Sequence, residues 1–120
     1  MSLRVVEIKP FVPARDFALS RRFYTDLGFT EASEVGGVAY FRHDEASFLL
    51  QDFYNKELAE NLMLHLLVED VAAWHARVAS AGLAQKYGVR PSEVVQQPWR
   101  MRDFTLTDPS GVLWRIAQNI

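Results

Sequence analysis

The feature that most constrains this chain is that it repeats itself. Asp16-Phe17-Ala18 stands twelve residues before Gly28, and Asp70-Val71-Ala72 stands twelve residues before Gly82. The copies are offset by 54, close to half of the 120 residues. Each Asp follows an alternating apolar stretch, and each Gly precedes another apolar residue, Phe29 or Leu83. A fixed internal period means one supersecondary unit built twice and stacked on its copy. The unit reads strand, N-cap, helix, glycine stop.

In the first copy Val6, Ile8, Pro10 and Val12 alternate with Glu7, Lys9 and Phe11, the period of a strand. Asp16 caps the helix that follows by accepting from its free N–H groups. Phe17, Ser20, Phe23, Tyr24 and Leu27 fall on one helical face, and Gly28 suits the left-handed stop. In the second copy Leu62, Leu64, Leu66 and Val68 alternate, Asp70 caps, Val71, Trp74, Val78 and Ala81 form the stripe, and Gly82 ends it. Short strands follow each helix, about 29–35, 38–42 and 47–53 in the first half and 94–97, 100–107 and 112–118 in the second. Gly36-Gly37, His43-Asp44-Glu45 and Asp108-Pro109-Ser110-Gly111 are the turns between them. Residues 85–91 read as loop and 54–61 as the joint between halves. The expected class is α+β: two βαβββ modules, about 4–54 and 61–120, in one domain over 1–120. They form a curved mixed sheet with helices on its outer face and the other face free to curve around something.

Composition removes several chemistries. There is no Cys, so disulfides, thiolate zinc sites and thiol nucleophiles are excluded. Lys plus Arg number 13 against 15 for Asp plus Glu, a net charge of −2 with no basic footprint for nucleic acid. No apolar run approaches the ~18 residues of a spanning helix, so no membrane partner is expected. The start, Met-Ser-Leu-Arg-Val-Val-Glu-Ile, lacks the apolar core of a signal peptide, and a cytoplasmic protein is the expectation. A Gly-x-Ser-x-Gly elbow and a His-Glu-x-x-His pair are both absent, and the only glycine pair is Gly36-Gly37.

Pro13-Ala14-Arg15-Asp16 with Arg22-Phe23-Tyr24 and Leu27-Gly28-Phe29, then Leu66-Leu67-Val68-Glu69-Asp70-Val71, then Asp108-Pro109-Ser110-Gly111-Val112-Leu113-Trp114-Arg115, stand in an order spaced by the repeat. This pattern resembles the vicinal oxygen chelate superfamily, which includes glyoxalase I, extradiol dioxygenases, fosfomycin-resistance enzymes and bleomycin-resistance proteins. The resemblance covers essentially the whole chain. It implies a cup between modules, where enzymes of the family hold a divalent metal on His, Glu or Gln from the first and last strands of each module. Carried over by spacing, those positions are Lys9, Gln51, Met63 and Arg115. Lys and Arg present protons, not lone pairs, and Met sulfur is a soft donor, so only Gln51 suits such an ion.

The pattern therefore resembles most the metal-free bleomycin-resistance branch. That implies a cytoplasmic homodimer sequestering a small, drug-like or aromatic ligand, with no cofactor and no catalytic residues. Candidate ligand contacts are Lys9, Phe11, Gln51, Phe53, Met63, His65, Trp99, Asp103 and Arg115. His65 faces away from Leu64 and Leu66, toward the cup. Arg115 offers a planar fork to an anionic or carbonyl-bearing ligand. Phe11, Phe53 and Trp99 could stack on planar rings. A plainer reading pairs Lys9 and Arg115 with Glu7, Asp103 or Glu69. Trp114, opposite Arg115, is expected under a helix, and His43 and His75 read as solvated. Two alternatives stay open. One is a divalent-metal-dependent lyase or dioxygenase with displaced ligands Glu7, Gln51 and His65. The other is a non-binding structural dimer.

Overall fold

The computed structural model describes residues 1–120. The first half contains β1 (Phe11–Pro13), α1 (Phe17–Leu27), β2 (Thr30–Val35), β3 (Val38–His43) and β4 (Ala46–Gln51). A short α2 (Lys56–Asn61) leads into β5 (Met63–Leu67), α3 (Val71–Ser80), α4 (Leu83–Tyr87), β6 (Val95–Gln97), β7 (Met101–Thr107) and β8 (Leu113–Asn119). Strand order is β1-β4-β3-β2 in one sheet and β5-β8-β7-β6 in the other, the same topology twice. In each sheet the opening strand lies parallel to the closing one, with Phe11 opposite Leu49 and Met63 opposite Leu113. The remaining pairs are antiparallel. The chain is α+β, two mixed sheets from tandem βαβββ modules with no closed barrel.

Local chemistry fixes the helix ends. Asp16 accepts from Leu19 N at 3.1 Å and Asp70 from Ala73 N at 3.2 Å, satisfying N–H groups the first turn leaves free. Gly28, at φ 127°, stops α1 where a side chain would be strained. The helices cover one face of the sheets. Phe23, Tyr24 and Leu27 of α1 share one buried cluster with Phe48 of the first sheet and Trp114 and Ile116 of the second. The core thus runs across both modules. A polar bridge crosses it too: Tyr24 Oη donates to Asp108 Oδ2 at 2.5 Å and accepts from Trp114 Nε1 at 2.9 Å.

Four local expectations are corrected. The alternation over residues 6–12 does not make a strand of that length, since β1 begins at Phe11. Continued down the ladder, Phe11 opposite Leu49 puts Glu7 level with Glu45, where β4 has already turned back. Residues 1–7 have no strand alongside, Ile8 and Lys9 make no main-chain hydrogen bond to β4, and Ile8 and Val6 stand 86% and 93% exposed. Residues 56–61 of the joint are helical because Asn55 caps them, accepting from Leu58 N at 2.9 Å. Residues 85–87 of the expected loop belong to α4, which docks on α1 through Tyr87. His75 is not solvated: it is half-buried, with its ring edge-on to Phe104 at 5.0 Å and Nε2 3.1 Å from Ser92 O.

Candidate functional site

Alternation decides which side chains reach the open face. On β5, Leu64 and Leu66 turn to the core while Met63, His65 and Leu67 stand exposed. On β8, Trp114 and Ile116 are buried, so Arg115 between them shares the open face with His65, its partner in the register. On the first sheet Val12, Ala39 and Leu50 are buried, and Phe11, Tyr40 and Leu49 line up across the open face.

The expected site residues fall into two groups. On the second sheet, Arg115 Nη1 donates to Asp103 Oδ2 at 3.0 Å and Gln97 Nε2 donates to Oδ1 at 2.9 Å. Asp103 is only 2% exposed, so each of its oxygens is answered where water hardly reaches. On the first sheet, Glu7 accepts from Tyr40 Oη at 2.9 Å and from Ser47 Oγ. Lys9 Nζ lies 3.7 Å from Glu7 Oε1 and 4.8 Å above the Tyr40 ring. The Ser47 and Tyr40 hydroxyls, helped by the nearby charges of Lys9 and Arg42, hold the Glu7 carboxyl below the usual range. Both cations are thus paired, Lys9 with Glu7 and Arg115 with Asp103.

Other candidates stand apart. Gln51 lies opposite Pro13, four residues along β4 from Ser47, roughly 13 Å at the rise of a strand. Phe53 follows the end of that strand and is exposed. Trp99, 57% exposed, sits in the turn beside the Met101–Asn119 row, while Met63 aligns with Leu113 and Thr107 at the opposite end of the sheet. Between the sheets runs a seam that no main-chain hydrogen bond crosses. A cleft of about 250 Å³ opens there, between Ile8, Pro10 and Ser47 on one side and Leu64, His65 and Leu66 on the other.

A divalent ion does not fit this donor set. Two of the four family positions are cations already held by carboxylates, and a third is a thioether. The displaced set fares no better. Glu7 is engaged at the Ser47 end of β4, Gln51 stands at the other end, and His65 belongs to the second sheet. No three His, Asp or Glu side chains gather as an ion would require.

The profile of the Glyoxalase/Bleomycin resistance protein/Dioxygenase superfamily matches residues 5–116. The chain belongs to this superfamily. Several solved structures superpose closely on the chain. A bleomycin resistance determinant encoded on the transposon Tn5 matches with 25% identity over 96% of this chain and 98% of its own, at TM-score 0.81. A bleomycin-binding protein complexed with bleomycin matches with 25% identity over 97% and 100%, also at 0.81. TnmS3, an antibiotic binding protein from Streptomyces sp. CB03234, shares the fold at 23% identity over 99% and 100%, with TM-score 0.77. No curated protein sequence matches the chain. No helix is long and apolar enough to cross a membrane.

The residue-by-residue reading missed four groups at this site: Tyr40, Arg42 and Ser47 around Glu7, and Gln97 on Asp103. The period-two pattern of 38–42 puts Tyr40 and Arg42 on one face, which is the signal that could have found them. What it lacks is the register that lays Arg42 opposite Ser47.

Proposed function

We propose that this member of the superfamily is a small-molecule binding protein. It sequesters an aromatic or drug-like ligand, without a metal, in a cup on the open sheet faces that a second copy completes. The observation that carries the reading is the occupancy of the family's metal positions by two paired cations and a thioether. Such a face binds by shape, stacking and hydrogen bonds rather than by Lewis-acid chemistry. Phe11, Phe53, Met63 and Trp99 supply exposed apolar and aromatic surface. The structure described as a bleomycin-binding protein complexed with bleomycin supports the ligand class. Homodimer formation and a cytoplasmic location belong to the same proposal. Apolar residues exposed along the N-terminal segment and on both sheets are surface that a second copy would cover.

Two measurements test it together. Equilibrium dialysis against Mn, Fe, Co, Ni and Zn in turn should show no stoichiometric uptake. Calorimetric titration with bleomycin, then with a panel of planar drug-like molecules, should show saturable binding by a species of twice the 13.7 kDa chain mass. Uptake near one metal per chain, abolished by His65→Ala, would replace this reading with a metalloenzyme.

A further inference from the structure

We infer that His65, Arg115 and Thr105 form a row of donors on the open face of the second sheet that selects an uncharged carbonyl, an amide or a ketone on an apolar ring, over a carboxylate. The inference rests on the open face being the ligand surface and names the ligand's class.

Register puts the three side chains in one line. His65 stands opposite Arg115 across the parallel ladder of β5 and β8, and Thr105 stands opposite Arg115 across the antiparallel ladder of β7 and β8. Residues directly opposite one another share a face. The flanks of this row are apolar. Met63 and Leu113 lie two residues along their strands on one side, and Leu67 lies two residues along on the other, each roughly 7 Å from the row at the rise of a strand. Met63 and Leu67 are 55% and 54% exposed. A ring can therefore cover this face and still set one oxygen over Arg115.

The charge balance chooses that oxygen. Arg115 Nη1 donates to Asp103 Oδ2 at 3.0 Å, and Gln97 Nε2 holds the other oxygen of Asp103 at 2.9 Å. Asp103 and Arg115 are the only Asp, Glu, Lys or Arg on this face of β5, β7 and β8, and their charges cancel. On the neighbouring sheet Lys9 is itself paired with Glu7. A carboxylate laid on Arg115 would lose water, meet no net cation and stand close to Asp103 as well. A carbonyl gives up less hydration and needs only donors. The guanidinium has more N–H groups than its bond to Asp103 uses, the imidazole carries an N–H in either ring state, and Thr105 adds a hydroxyl. The clamp from Asp103 also holds Arg115 in place before a ligand arrives, which spares the complex the ordering of a long side chain.

The test uses the full chain and two probes of one shape, naphthalene carboxamide and naphthalene carboxylate, with amide chemical shifts in ¹H–¹⁵N spectra as readout. The carboxamide should shift the His65, Thr105 and Arg115 amides saturably and bind about tenfold more tightly than the carboxylate, the worth of one hydrogen bond not offset by desolvation of a charge. Thr105→Val and His65→Leu, each checked for folding by its unfolding midpoint, should weaken the carboxamide several-fold. Asp103→Asn removes the charge that cancels Arg115 and should turn the preference toward the carboxylate. Equal or tighter binding of the carboxylate by wild type, no shift with either probe, or carboxamide binding indifferent to both Thr105→Val and His65→Leu would each overturn the inference. If bleomycin or the drug panel binds in the calorimeter while the carboxamide leaves these amides unmoved, this subsite fails and the binding function stands. If the carboxamide binds as expected and neither bleomycin nor the panel does, the subsite stands and the sequestration role fails.

Discussion

Asp103 is a carboxylate on an open sheet face that is nevertheless buried, because Arg115 and Gln97 close over its two oxygens. Burying a charge costs stability unless a partner answers it, and removing one partner leaves that cost exposed. Arg115→Met should therefore destabilise the chain by about 3 kcal/mol in urea unfolding. The double change Arg115→Met with Asp103→Leu should recover most of that loss, because two well-packed apolar groups are close to neutral in place of a buried pair. Losses that simply add would mean that the two residues do not act as a pair. Strand alternation was enough to put Arg115 on the open face and Trp114 beneath a helix. It left open whether the cation faces a ligand or a carboxylate, since that depends on the neighbouring strand's register.

Helix α4 shows what sequence periodicity alone leaves undecided. Five residues are too few to display a helical stripe, and Gly82 and Gly88 at its ends favour a loop reading. Tertiary contacts make the difference. Tyr87 Oη donates to Asp26 Oδ2 at 2.6 Å, its ring meets Phe23 edge-on at 5.3 Å, and Arg77 Nε reaches Asp26 O at 3.2 Å. Burial first, then the hydrogen bond and charge of Asp26, push the Tyr87 phenol up to about 12. A raised folded pKa contributes stability that is whole below the free value near 10 and is lost as pH rises through 12. Ultraviolet titration should accordingly show Tyr87 ionising near 12, alongside the buried Tyr24 that burial and Asp108 also hold well above 10, with stability falling in the same window. Tyr87→Phe should remove that part of the alkaline loss and cost about 1 kcal/mol at neutral pH, the net worth of one hydrogen bond. A Tyr87 that ionises near 10 would contradict the docking of α4. The N-terminal segment is the reverse case. Its pattern reads as strand, but residues 1–7 run past the start of β4 at Ala46, and Ile8 and Lys9, level with Ala46 and Ser47, make no main-chain hydrogen bond to it.

At the scale of the molecule, the two modules are held by more than apolar packing. Tyr24 of the first module bridges Asp108 and Trp114 of the second, and Ser110 Oγ accepts from Arg15 N at 3.0 Å. Tyr24→Phe keeps the ring but leaves the Trp114 N–H and one Asp108 oxygen unanswered in the core. It should cost about 3 kcal/mol. Unfolding should stay a single transition, because one cluster of 20 buried residues spans both modules. Two separate transitions by circular dichroism would show instead that the modules fold independently. The repeat, the capped helices, the faces of the paired strands and the likeness to the superfamily are all legible in the sequence, because capping, glycine stops and alternation act within a few residues of each other. The sequence also places Lys, Met and Arg at three of the four positions that the family resemblance marks for metal ligands. Which carboxylates answer Lys9 and Arg115, that Glu7 sits on Tyr40 and Ser47, and that residues 1–9 lie outside the sheet are settled by the packing of the folded chain. Those outcomes depend on which distant strands come side by side and in what register, and local periodicity carries no information about either.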